Sequence, residues 1–167
     1  MDFLKLASDR FSCRKFDDKL VEQDKIDKII ASALLAPTAV NLQPFKIFQT
    51  DDIEKLKKAT PFTFEAKTFL IIGADANRAY VRKFDNKNFA QIDATIVSTH
   101  IMLEIQDLGL GTTWVGHFDE KILKQEFPQL QNYEIVAIFP IGYIASDVQI
   151  SNFHNKSKSK EDIFEKI

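Results

Sequence analysis

One cysteine in 167 residues is too few for an internal disulfide or for a zinc site built on several cysteines. The fold must therefore rest on its apolar core, and a chain of this length buries roughly 70% of its unfolded surface. Glycine is also sparse, at five residues. None of them builds a GxGxxG or a P-loop, so Rossmann and Walker sites have no support. An excess of charge of one sign is missing: 22 Lys and Arg stand against 24 Asp and Glu, a formal net charge of −2. No global basic field exists to attract nucleic acid or an anionic membrane surface. No apolar run approaches the roughly 18 residues of a membrane span, and the opening MDFLKLASDRF carries charge too often for a signal peptide. The expectation is a single domain over 1–167 in a reducing cytoplasm, with a polar, basic tail from about Ala145. What is plentiful is phenylalanine, with 15 Phe against three Tyr and one Trp.

The apolar spacing predicts a short helix over 2–9 with Phe3, Leu4, Leu6 and Ala7 inward. A second helix is predicted over 22–35, with Ile26, Ile29, Ile30, Ala33 and Leu34 on its core face. It must stop before Pro37, which forces its predecessor out of helical geometry. Phe45–Thr50 reads as a strand, followed by a helix to Ala59 capped by Asp51 or Asp52. Thr68–Ala74 is an apolar run of strand length suited to burial on both faces. Residues 88–108 leave little polar surface, which predicts a central helix with Gly109 as its C-terminal cap. Thr112–Val115 reads as a short strand, Asp119 as the cap of a helix to Phe127, and Glu134–Tyr143 as a strong strand. Ser159 and Asp162 form a capping box for a last small helix. Strands interleaved with helices, without a regular βαβ repeat, indicate an α+β fold with a mixed sheet.

Three segments carry candidate chemistry. In an extended Arg10-Phe11-Ser12-Cys13-Arg14, residues 10, 12 and 14 share one side. Two guanidinium forks and a hydroxyl suit a phosphate; the same spacing also describes a solvated edge strand. The segment from Leu35 to Phe45 fixes its path with Pro37 and Pro44. There Thr38, Asn41 and Gln43 offer groups able to read a polar heterocycle edge, or serve as ordinary turn residues. In the Gly109–Asp119 stretch, glycines allow close backbone approach to a flat ligand beside Trp114. A helix cap followed by a buried strand would look the same.

Taken in this order, the Arg-x-Ser-x-Arg opening, the Ala-Pro-Thr-Ala-Val-Asn-Leu-Gln-Pro-Phe segment and the Gly-Leu-Gly-Thr-Thr-Trp-Val-Gly stretch resemble the nitroreductase family of FMN-dependent flavoproteins. The resemblance implies a three-layer arrangement, with a central, mostly antiparallel sheet flanked by helices, and a homodimer with FMN at the subunit interface. It implies that Arg10, Phe11, Ser12 and Arg14 hold the phosphate and ribityl end, completed by tail lysines, Lys156 and Lys158. It places Pro37, Thr38, Ala39, Asn41 and Gln43 beside the isoalloxazine, often from the partner subunit. Trp114 and Val115 fall in the same set, and the backbone N–H groups of Gly116 and His117 approach flavin N5. NADH or NADPH is implied as transient hydride donor, with a nitroaromatic or quinone as acceptor. A flavin storage or sensing module, or a flavin-fragmenting or dehalogenating relative, are the alternatives.

The remaining candidates read as structural. Cys13, between outward residues, is expected inside as a small hydrophobe. His100 is expected as an interior histidine, and three scattered histidines do not compose a metal site. Asp93 opens the central helix and favours its N-terminal half through the helix dipole.

Overall fold

The computed structural model describes residues 2–167. Helices α1 (Phe3–Asp9) and α2 (Gln23–Leu34) precede a 3-10 turn at Ala39–Asn41, strand β1 (Phe45–Thr50), α3 (Ile53–Ala59) and β2 (Thr68–Ala74). A two-residue hairpin, β3 (Val81–Arg82) and β4 (Lys87–Asn88), then leads into α4 (Ala90–Asp107). Strand β5 (Leu110–Thr112), α5 (Glu120–Glu126), a 3-10 turn at Pro128–Leu130, β6 (Glu134–Tyr143) and α6 (Lys160–Ile163) complete the order. The sheet runs β1-β2-β6-β5, antiparallel at every pairing. Among the described residues, the one parallel pairing joined to it is the Ser12–Thr112 bridge.

Three layers follow from the alternation of side chains along β2 and β6. Leu70, Ile72, Ala137, Phe139 and Ile141 face one cluster with Ile26 and Ile29 of α2 and Val97, Ile101 and Ile105 of α4. Phe69, Ile71, Ile135 and Ile138 face the opposite cluster, with Leu56 of α3 and Leu123 of α5. All seven residues of β2 are buried, as a strand covered on both faces requires. Helix α4 sits against β2, β5 and β6 and ends at Gly109, whose φ of 71° is the expected left-handed cap. The pairing of β2 with β6 slips between Ile72 and Gly73, leaving Val136 as an extra, bulged residue.

Several sequence expectations need correction. Helix α4 begins at Ala90, because Asn88 is held in β4 and its side chain accepts from the Ala90 N–H. The short strand is β5 at Leu110–Thr112, not 112–115; Val115 makes a separate bridge to Ile138. Leu34, at the end of α2, is exposed, and so are Phe3 and Leu4, at 63% and 76%, on α1, which packs on the outer side of α4. His100 is half-buried and lines an apolar groove with Phe3, Leu6, Leu35 and Leu103. Cys13 is fully buried as expected, and burial pushes its thiol pKa up. Asp52, Asp119 and the Ser159–Asp162 capping box all cap their helices.

Candidate functional site

Segment 10–14 is laid along the end of the sheet. The Cys13 N–H donates to the Thr112 carbonyl at 2.9 Å, and farther on the Asp17 N–H donates to the Tyr143 carbonyl at 2.8 Å. This crossing needs glycine beneath it: a Cβ on Gly111 would lie 2.8 Å from Cys13 Sγ, and one on Gly142 would lie 3.0 Å from the Phe16 ring. With Cys13 turned inward, Arg10, Ser12 and Arg14 are left in one cleft of about 260 Å³. Neither arginine has a carboxylate within ion-pairing distance among the described residues. The neighbouring Asp9 is taken by Lys5 at 2.6 Å, and Arg14 reaches only the Ser12 carbonyl at 3.2 Å. Two uncompensated guanidiniums in a concave site make an anion receptor.

The far wall of this cleft comes from a stretch the motifs did not mark: Ile150, Ser151, Phe153 and His154. His154 Nε2 lies 3.1 Å from the Ser8 carbonyl, which ties the tail to the end of α1. Lys156 sits over the Phe153 ring, 5.1 Å from its centroid. Neither Lys156 nor Lys158 lines the cleft. Nothing in the local pattern of 150–154 announces this role, since it depends on where the tail folds back.

Arg14 also lines a second cleft, of about 210 Å³, with Phe62, Phe64, Thr113, Trp114, Val115, Gly116 and His117. Trp114 stands edge-on to the buried Phe139, with centroids 5.3 Å apart. Phe62 stacks on Phe64 at 6.0 Å and meets the His117 ring edge-on at 5.5 Å. The N–H groups of Gly116, His117 and Phe118 make no hydrogen bond within the described residues. An aromatic wall, free backbone donors and one shared arginine suit a planar ring system attached to the anion next door. The sequence marked the Trp114 side of this wall, while Phe62 and Phe64 reach it from a loop with no pattern that points to it.

Pro37, Thr38, Ala39, Asn41 and Gln43 line neither cleft. Their segment is exposed apart from half-buried Thr38 and Ala39, and Val40, Asn41 and Gln43 all have positive φ. For a β-branched residue such as Val40, φ of 54° is strained. The turn is held by its own bonds and by Asp93, whose Oδ1 accepts the Ala39 N–H at 3.0 Å. Asp93 is 1% exposed, and its Oδ2 has no hydrogen-bond partner among the described residues. The sequence pointed to Asp93 as a helix opener and missed this anchoring role.

The sequence model of the nitroreductase family matches residues 7–69 and 48–143. A nitroreductase family protein of Clostridium difficile 630 has a similar structure, with a TM-score of 0.91, 34% identity and coverage of 99% of this chain and 98% of that one. An FMN-dependent nitroreductase of Clostridium difficile R20291 has a TM-score of 0.74 at 27% identity, covering 90% of this chain and 92% of that one. An FMN reductase [NAD(P)H] of Bacillus subtilis strain 168 is 28% identical over 134 residues, 69% of this chain and 54% of that protein.

Proposed function

The chain belongs to the nitroreductase family, and from that premise we propose that it is an FMN-dependent oxidoreductase that draws reducing equivalents from NADH or NADPH and passes them to a small nitroaromatic or quinone acceptor. The observation that carries this reading is the pair of clefts joined at Arg14, one cationic and one aromatic. Their residues fit FMN, whose two ends are a phosphate dianion and a flat tricyclic ring. Arg10, Ser12 and Arg14 would hold the phosphate end, with Phe11 at its side and His154 on the opposite wall. Trp114, Val115 and Gly116 would flank the ring, and the free Gly116 and His117 N–H groups would face its reactive edge.

FMN, when bound, supplies the hydride-accepting and hydride-donating chemistry. The chain's own work is to bind, orient and polarise. Arg14, positive and shared by both clefts, favours negative charge on the ring when it is reduced, and the 116–117 N–H groups do so by hydrogen bonding. No conspicuous acid or base side chain is needed for that work.

Dimerisation belongs to the same proposal. Leu35 at 80% and Val40 at 74% exposure, with Phe3 and Leu4, leave an apolar surface on α1, the end of α2 and the strained turn. A two-fold contact there would cover it and carry Pro37, Thr38, Ala39, Asn41 and Gln43 of one subunit toward the other's site.

The test is the visible spectrum of the purified protein, followed by anaerobic addition of NADH or NADPH and then of a nitroaromatic or quinone. Oxidised-flavin absorbance, bleaching by the nucleotide and recovery by the acceptor are expected. A colourless protein that FMN cannot reconstitute would sink the reading, and bleaching without acceptor reduction would favour a storage module. Light scattering should give twice 19.1 kDa.

A further inference from the structure

One buried hydroxyl ties together the two loops that make the aromatic cleft. Thr60, 2% exposed, closes α3 and donates from Oγ1 to the His117 carbonyl at 2.7 Å. The same oxygen accepts the Phe62 N–H at 3.2 Å. One residue earlier, the Ala59 carbonyl accepts the Asp119 N–H at 2.8 Å. Two of these bonds join 59–62 to 117–119, and the third fixes the turn from Thr60 to Phe62. Their effect on the cleft is geometric. Fixing the His117 carbonyl toward the interior fixes the plane of the 117–118 peptide and, with the Asp119 bond, pins the end of the stretch whose N–H groups at 116–118 have no partner among the described residues. Fixing the Phe62 backbone holds the ring that meets His117 edge-on and stacks on Phe64. The strain at Phe64 and Glu65, with φ of 53° and 55°, shows that this loop is held against its own preference.

We propose that Thr60 is a positioning residue of the site: through its hydroxyl, the backbone donors at 116–118 and the Phe62–Phe64–His117 wall keep one fixed relation. This rests on the flavin reading for its consequence, and on the hydrogen bonds alone for its geometry. Thr60 touches no reacting atom. Its hydroxyl donates once and accepts once, so a same-shaped residue without it leaves a carbonyl and an N–H unpaired.

The test compares Thr60→Val, Thr60→Ser and wild type, with Thr60→Ala replacing the valine variant should that one not fold. In the flavin-free protein, amide hydrogen exchange at Phe62 and Asp119, whose N–H groups make bonds of the clasp, should rise about fivefold or more in Thr60→Val and return to the wild-type rate in Thr60→Ser. In the FMN-loaded protein, the ratio of reduced-flavin to oxidised-flavin affinity should fall about tenfold, a drop in midpoint potential of about 30 mV for a two-electron couple, and Thr60→Ser should restore it. A purely structural threonine would lower the melting temperature and leave the potential unchanged; that outcome overturns the proposal, as does unaltered exchange at Phe62 and Asp119. Failure of wild type to bind FMN would sink the functional reading while the exchange result still decides the clasp.

Discussion

Segments 10–14 and 37–43 are both short, polar and rich in groups that could bind a ligand, yet the fold holds them by opposite means. The first is stitched to the sheet: the Ser12–Thr112 bridge, the Cys13 N–H bond and two glycines set its register. The second stands away from the sheet in left-handed backbone, with the Asp93 carboxylate bonded to its Ala39 N–H. Sheet register turns a sequence alternation into a cleft, because every second side chain must emerge on one side. A strained turn has no such rule, and its shape depends on an acid 54 positions away. The first should therefore tolerate loss of its side chains without loss of shape, and the second should lose shape when its anchor goes.

The largest effect should come from the arginines. Each charge-assisted hydrogen bond is worth about 1.5–3 kcal/mol, so Arg10→Ala and Arg14→Ala should each weaken FMN binding about 10-fold to 150-fold, and the double variant further. Melting should hardly move, because neither guanidinium has an ion partner to lose among the described residues. Lys158→Ala should have little effect, because Lys158 does not line the cleft. A flavin-fluorescence titration against FMN and riboflavin checks this. Equal affinity of wild type for both flavins, or full FMN affinity in both arginine variants, would refute the phosphate assignment.

Next comes the anchor of the strained turn. Removing the carboxylate in Asp93→Ala forfeits a bond to a charged acceptor, worth about 1.5–3 kcal/mol. Hydrogen exchange at the Ala39 amide should rise about 10-fold to 150-fold, while the Cys13 amide keeps its protection. Equal loosening of both amides would mean that Asp93 supports the whole fold and not the turn alone.

Legibility follows the same division. The regular elements were readable because period and caps are local: β1, β2 and β6 fall at their expected bounds, and Asp52, Asp119 and Ser159 cap as their spacing required. Arg10, Ser12 and Arg14 were readable for the same reason. His154, Phe62 and Phe64 were not, because they reach the clefts by tertiary folding of a tail and a loop that have no pattern of their own. Leu34, Phe3 and Leu4 misled because apolar spacing says that a face wants cover without saying whether this chain supplies it. The 112–115 strand was misplaced because β5 begins at once after the Gly109 cap, without a connecting loop.

The stitched segment can also be attacked through its floor. Gly111→Ala would press a methyl to within 2.8 Å of Cys13 Cβ and Sγ and 2.9 Å of Ile144. Both neighbours are packed, so about 1–3 kcal/mol of stability should be lost, read as a lower denaturation midpoint at unchanged slope. FMN affinity should fall with it although every arginine remains. Retained affinity would show that the cleft does not depend on this register.

The smallest effect concerns the last bond of the crossing, at Tyr143, whose carbonyl accepts the Asp17 N–H. The Tyr143 hydroxyl donates to Glu22 at 2.6 Å, Lys19 pairs with the same carboxylate at 2.9 Å, and Lys25 donates to the tyrosine oxygen at 2.9 Å. The tyrosine hydrogen bond, with Lys19 beside it, lowers the Glu22 pKa from 4.5 to about 2. A carboxyl with a depressed folded-state pKa contributes stability above its unfolded value, and that contribution is lost as the pH falls from about 4.5 toward 2. Glu22→Gln should therefore be slightly less stable than wild type at neutral pH, with the gap closing through that acid window. The group is exposed, so the gap should be small and should shrink further in salt. Paired denaturation curves at pH 7 and pH 3, at low and high ionic strength, measure it. A gap that widened on acidification would mean that the carboxylate opposes the fold, and that Lys25 and Tyr143 hold this corner of the sheet without it.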